Sequence, residues 1–280
     1  MSRKLPRCIG VIHLPALPGS PGAVRYHPST ALERAGLQAV SEARSLEKAG
    51  FDGIIIENFG DAPFYGASVP PETLVAMSVI SAAVREAVRL PIGINILRND
   101  ARGALAVAAV TGADFIRVNV LSGVMATDQG IIEGRAAELL RERARLNAED
   151  IAILADVHVK HAKSLSSDDL ALAIEETSGR GGADGIIITG STTGRSPSSA
   201  DLHHALKAAK ECKVPLYIGS GLQASGVAEL PSPAIGMIVG STLRRGGKAG
   251  APLDPARIRT FMKAVKANRT RNGKTRRASS

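Results

Sequence analysis

Short aliphatic and β-branched runs recur along the chain, each followed by a stretch whose apolar positions have helical spacing, and the alternation repeats eight times. The runs fall at 8–13, 52–57, 91–95, 115–119, 151–158, 184–189, 214–219 and 234–240. Helices are expected at 29–49, 72–88, 100–111, 134–146, 166–179, 200–212 and 255–266, with only a short one between the last two strands. Ser29, Asp100 and Ser166 or Ser167 read as amino-terminal caps, and Gly50 as a helix end. Strict strand–helix alternation implies parallel strands joined by right-handed crossovers. Eight units favour closure into an α/β (β/α)8 TIM barrel. A doubly wound open sheet would show a glycine-rich fingerprint after its first strand, where this chain has His13-Leu14-Pro15. The 280 residues suit a single such domain, for which roughly 250 are typical.

Most runs end on a polar residue where an apolar one would be expected: His13, Glu57 with Asn58, Asn95, Arg117 with Asn119, Asp156 with His158, Thr189, Ser220 and Ser241. Side chains alternate faces along a strand, so Leu154, Asp156, His158 and Lys160 share one face and Ala155, Val157 and Val159 the other. The uniformly apolar set must pack on the helices, which turns the first set toward the barrel axis. Charged groups are costly in a dry interior, so they belong at the wet carboxyl rim, where barrels carry their chemistry. Glu57 and Asp156 are then the candidate acid/base pair and His158 a proton shuttle. Lys160 is a charge partner or a Schiff-base nucleophile. His13, Asn95, Arg117, Asn119 and Thr189 are candidates for holding substrate. A purely structural ion pair of Arg117 with Asp156 or Glu57 is an equal alternative for Arg117.

Gly219-Ser220-Gly221 and Gly240-Ser241 follow the seventh and eighth strands, where barrels often bind phosphate through exposed backbone N–H groups. No zinc signature, Walker loop or nucleophile elbow appears. A divalent metal on Glu57, Asp156, His158 or His13 is compatible with the residue types, but residues on separate strands cannot establish it. No other cofactor is implied. The segments 58–70 and 121–133 are long enough to serve as lids over the mouth.

The net charge of +9 suggests nucleic acid until it is located. Nine basic and no acidic residues follow Asp254, so the rest of the chain is formally neutral. The barrel is expected over 1–267, and 268–280 reads as a basic, disordered tail without the aromatic residues that would favour RNA. No nucleic-acid partner is expected. Cys8 and Cys212 read as buried, reduced thiols. The basic start is too short for a signal peptide and no apolar run spans a bilayer, which points to the cytoplasm.

The segments GVIHLPALPGSPG, DGIIIENFGDAPFY, PIGINILRND, FIRVNVLSGVMATDQGIIEGRA, ILADVHVKHA, ADGIIITGSTTGR and GSG with IVGSTL resemble the BtpA family, named for photosystem I biogenesis. The resemblance covers nearly all of the chain except the tail. It implies a TIM barrel related to the ribulose-phosphate-binding barrels. It also implies a factor that helps photosystem I proteins accumulate at the thylakoid surface, a role that would apply only in a photosynthetic source and as a peripheral membrane association. The expected function is acid/base enzymology on a small phosphorylated metabolite, a sugar or nucleotide derivative, as a lyase, isomerase or hydrolase. The alternative is a non-catalytic factor for photosystem I assembly or stability. A homo-oligomer is compatible with such a barrel.

Overall fold

Strands β1 (Cys8–His13), β2 (Gly53–Glu57), β3 (Ile92–Asn95) and β4 (Phe115–Val118) form the first half of a closed parallel barrel. A hairpin, β5 (Val124–Thr127) and β6 (Gly130–Glu133), precedes β7 (Ala152–Val157) and the short β8 (Ala162–Ser164). With β9 (Gly185–Ile188), β10 (Leu216–Ile218) and β11 (Gly236–Val239), β7 completes the ring, and β11 pairs with β1. The computed structural model describes residues 5–157, 162–166, 168–190, 197–231 and 234–278. The helices are α1 (Pro28–Ala49), α2 (Pro71–Ala87), α3 (Ala101–Thr111), α4 (Ala136–Arg145), α5 (Leu170–Glu175), α6 (Ser199–Glu211) and α7 (Pro255–Ala278).

Strand parity sorts the core into two shells. Ile9, Val11, Ile55, Phe115, Leu154, Ile187, Tyr217 and Ile238 pack inside the barrel, while Ile12, Ile54, Ile56, Ile116, Ala155 and Val157 join the larger cluster between strands and helices. The inner shell accommodates two aromatic rings because the facing positions have no side chain. A Cβ on Gly93 would lie 2.2 Å from the Phe115 ring, and one on Gly236 would lie 2.1 Å from that of Tyr217. Gly236→Ala is therefore expected to cost about 1–3 kcal/mol by overpacking, measured by urea unfolding, and Tyr217→Leu on that background should return part of it.

Local signals explain most helix ends. Gly50 ends α1 in the left-handed region at φ 91°, its N–H donating to the Glu47 carbonyl oxygen. Asp100 caps α3 by accepting from Gly103 N–H at 2.8 Å. The other two expected caps fall elsewhere. His27 rather than Ser29 precedes α1, which opens on Pro28. Asp169 caps the fifth helix through Oδ1, leaving Ser166 in the connection before it, while Ser167 lies outside the described residues. The stretch 121–133, expected as an open loop, instead forms the β5–β6 hairpin, which pairs with β8 over a small core of Val120, Met125 and Ile132. The last helix, expected to stop at 266, runs on to Ala278. Asn268 is buried and donates to the Val227 carbonyl oxygen, and Arg269 pairs with Asp52, so the chain is still tied to the barrel beyond 267. No helix among the described residues is long and apolar enough to cross a membrane.

Cys8 is buried and Cys212 half-buried, and both are free thiols. Burial, with Asp52 adding to it, pushes the Cys8 thiol up to about 12. It packs as a small apolar group and is not a nucleophile.

Candidate active site at the carboxyl mouth

Cross-strand register brings three of the expected residues side by side. His13 pairs with Glu57, and Glu57 with Asn95, at the carboxyl ends of β1, β2 and β3. His13 Nε2 lies 3.9 Å from Glu57 Oε1. Both residues are buried, yet both line a cavity of about 300 Å³ at the mouth of the barrel. That volume is at the small end of ligand pockets and suits a metabolite better than a large cofactor. Arg117, Asn119 and Thr189 line it too, as do Gly219, Ser220, Gly221, Gly240 and Ser241.

Asn95 and Asp156 are not in the wall. They stand behind it and fix the residues that are. Asn95 Nδ2 donates to the Arg117 carbonyl oxygen and to Asn119 Oδ1, both at 3.1 Å. Asp156 takes Arg117 Nε and Nη2 at 2.9 Å each and Asn119 Nδ2 at 3.2 Å. Burial works against the Arg117 charge, but Asp156, and Glu57 beyond it, outweigh that cost and raise its pKa. The ion pair weighed from the sequence is thus present, and Arg117 faces the cavity at the same time.

Strand β7 ends at Val157, and His158 and Lys160 lie outside the described residues. Among the described residues no cluster of three or more His, Cys, Asp or Glu side chains is arranged to hold a metal. His158, one of the four residues considered for that role, is not among them.

The far wall is built from glycine turns. A side chain on Gly240 would place its Cβ 2.9 Å from His13 Nε2, so the backbone there stays open to a ligand. Ser241 begins a short 3-10 turn, Ser241–Leu243, whose Thr242 also lines the cavity. Ser220 Oγ is buried in the adjacent turn and has no hydrogen-bond partner among the described residues. A buried hydroxyl left unsatisfied is costly, and a bound oxyanion would satisfy it.

Sequence reasoning passed over Phe59, Phe64 and Arg98, which also line the cavity. Phe59 stacks on the His13 ring at 4.5 Å. The segment carrying both phenylalanines is stapled down: Asn58 Oδ1 accepts from Leu97 N–H at 2.7 Å, and Asp61 Oδ1 from Leu17 N–H at 2.8 Å. Burial raises the Asp61 carboxyl above its ordinary value, while the hydrogen bonds it accepts from Leu17 N–H and from Asn58 Nδ2 oppose the shift. Arg98 follows β3, and burial lowers its guanidinium from the usual value, with Asp156 and Asp128 opposing that shift and Arg117 adding to it. The available signal was position: aromatic and basic residues directly after strands β2 and β3 must lie at the carboxyl rim.

The architecture matches solved barrels over almost its full length. KGPDC from Streptococcus mutans has a TM-score of 0.56 at 12% identity, covering 94% of this chain and 99% of that one. 3-Hexulose-6-phosphate synthase has a TM-score of 0.52 at 16% identity, covering 92% and 99%. These likenesses define the fold class as a TIM barrel. The profile of the BtpA family matches residues 4–267, and the chain belongs to that family. The photosystem I biogenesis protein BtpA of Synechocystis is 48% identical over 259 residues, 92% of this chain and 87% of that protein. An uncharacterized protein of Pyrococcus abyssi is 46% identical, covering 93% and 96%, and an uncharacterized mitochondrial protein of Caenorhabditis elegans is 38% identical, covering 93% of each.

Proposed function

We propose that this protein is an enzyme that binds a small phosphorylated metabolite, a sugar or nucleotide derivative, at the carboxyl mouth and acts on it by acid/base chemistry. One observation carries the reading. The turns after β10 and β11, the first carrying the buried Ser220 hydroxyl, line the same 300 Å³ cavity as Glu57, His13 and two guanidinium groups. The phosphate sits on Gly219, Ser220, Gly221, Gly240 and Ser241, and the reacting carbons lie toward Glu57, the group assigned to proton transfer. Asp156 holds Arg117 in place, and Arg117, Asn119, Asn95 and Thr189 fix the substrate oxygens directly or through one another. His158, as a proton shuttle, and Lys160, as a charge partner or Schiff-base nucleophile, enter this reading from the sequence alone, since both lie outside the described residues. Phe59 and Phe64 exclude water from the cavity. Lyase, isomerase and hydrolase reactions all fit this set.

A second reading, a non-catalytic factor for photosystem I assembly, is favoured by the name of the Synechocystis relative. Relatives of similar length in Pyrococcus abyssi and Caenorhabditis elegans carry no photosystem name, which favours the enzyme reading.

The test is a thermal-shift and calorimetric titration with inorganic phosphate, ribose 5-phosphate and nucleoside monophosphates. A ligand at a hundred times its Kd should add about 2.7 kcal/mol of stability, or roughly 5–10 °C in Tm. A flat response to all three probes contradicts the enzyme reading. Phosphate binding by the wild type that survives unchanged in Ser220→Ala contradicts the placement of the phosphate.

A further inference from the structure

A buried ion pair behind the barrel wall, 202 residues apart in sequence, reaches the site through one loop. Arg244 is completely buried. Its Nη1 and Nη2 meet Glu42 Oε1 and Oε2 of α1 at 3.0 and 2.8 Å. The same guanidinium donates to the Val11 carbonyl oxygen at 2.9 Å and to that of Ala251 at 2.7 Å. It therefore clamps strand β1, two residues before His13, to the loop that follows β11. Gln38 completes the clamp, donating to Glu42 Oε1 and to the His13 carbonyl oxygen, both at 3.2 Å.

The residue next to the clamped Ala251 is the one that touches the site. Gly250 N–H donates to His13 Nδ1 at 3.1 Å. A ring nitrogen that accepts a hydrogen bond carries no proton, so the imidazole proton sits on Nε2. Nε2 is the atom that faces Glu57 Oε1 at 3.9 Å and lies over the Gly240 turn. The Phe59 ring, stacked on the imidazole, prevents it from tilting away.

We infer that Glu42 and Arg244 are positioning residues for His13: by holding Gly250 against Nδ1 they fix the Nε2–H tautomer, so that His13 meets the ligand as a hydrogen-bond donor beside the Glu57 carboxylate. The matching ligand group is an acceptor oxygen, carbonyl or ester, on the carbon next to the one Glu57 addresses. A donor and a carboxylate paired in this way polarise a carbon–oxygen bond while a neighbouring proton is handled, which gives the two groups different tasks. The inference rests on the proposed function only in taking the cavity as the ligand site; the tautomer is a property of the unliganded protein.

The experiment is long-range 1H–15N NMR of the imidazole nitrogens in the full-length protein at pH 7.5, with the His13 signals assigned by their loss in His13→Gln. The wild type should show one tautomer with the proton on Nε2. Glu42→Gln and Arg244→Lys should show His13 exchanging between both tautomers, with the other five histidines unchanged. Should Glu42→Gln fail to fold, Arg244→Lys carries the comparison. A wild-type ring with its proton on Nδ1, or on both nitrogens, overturns the inference. So does a folded clamp variant whose His13 tautomer is unaltered. Titrating inorganic phosphate into the same wild-type sample tests the cavity separately, since absent binding would count against the proposed function and leave the tautomer standing.

Discussion

Arg117→Met should destabilise the protein by about 3–5 kcal/mol in urea unfolding, among the largest single-residue costs in the barrel, because it leaves the Asp156 carboxylate buried without its partner. Asp156 accepts two bonds from Arg117 and one from Asn119, so the loss falls on a group that cannot reach water. The double variant Arg117→Met/Asp156→Leu should recover most of the stability, since replacing both ions with apolar groups removes the desolvation cost along with the attraction. It should nevertheless bind no phosphorylated ligand. A double variant as unstable as the single one would mean that the pair stabilises the fold by more than mutual compensation. Retained ligand binding would remove Arg117 from the site.

Gly240→Val should abolish ligand binding with little harm to the fold. The new Cβ would lie 2.9 Å from His13 Nε2 and 3.5 Å from the Val11 Cβ, filling the space between the imidazole and the glycine turn. The main-chain φ at Gly240, −117°, lies outside the left-handed region that favours glycine. Affinity for phosphate should fall by more than about tenfold, equivalent to 1.4 kcal/mol. Unfolding free energy should fall by no more than about 1–3 kcal/mol. Calorimetry and urea unfolding on the same preparation separate the two effects. Unchanged affinity would move the phosphate away from the β11 turn.

Much of this was legible in the chain because strands report their own facing. Ala155 and Val157 had to pack on the helices, which sent Leu154 and Asp156 inward, and the same parity placed His13, Glu57, Asn95, Arg117 and Asn119 on one rim. Glycines after two particular strands carried the phosphate expectation because backbone geometry needs no side-chain partner to be recognised. What lay on irregular segments was hidden. Phe59, Phe64 and Arg98 follow no period, and their direction depends on staples such as Asn58 to Leu97 that join separate segments. Distinguishing Asp156, which fixes Arg117 from behind, from Glu57, which faces the cavity, needed three-dimensional contacts, since both read as inward carboxylates at strand ends.

Two features left weaker traces. Glu42 interrupts the apolar face of α1 formed by Ala35, Ala39, Ala43 and Leu46, all buried, and an acid on such a face calls for a buried base. Nothing in the sequence says that the base is Arg244. The hairpin between β4 and β7 consists of two four-residue strands, too short for period-two alternation to stand out, and only the glycine of its turn, Gly130 at φ 97°, marked the reversal.

The most direct test is a crystal structure of the wild-type protein grown with a phosphate monoester such as ribose 5-phosphate. The phosphoryl group should lie between the Ser220–Gly221 and Ser241–Thr242 turns, accept a hydrogen bond from Ser220 Oγ, and leave the sugar extended toward His13 and Glu57. A well-ordered monoester bound elsewhere on the barrel, with the Gly219 and Gly240 turns occupied only by solvent, would contradict the account.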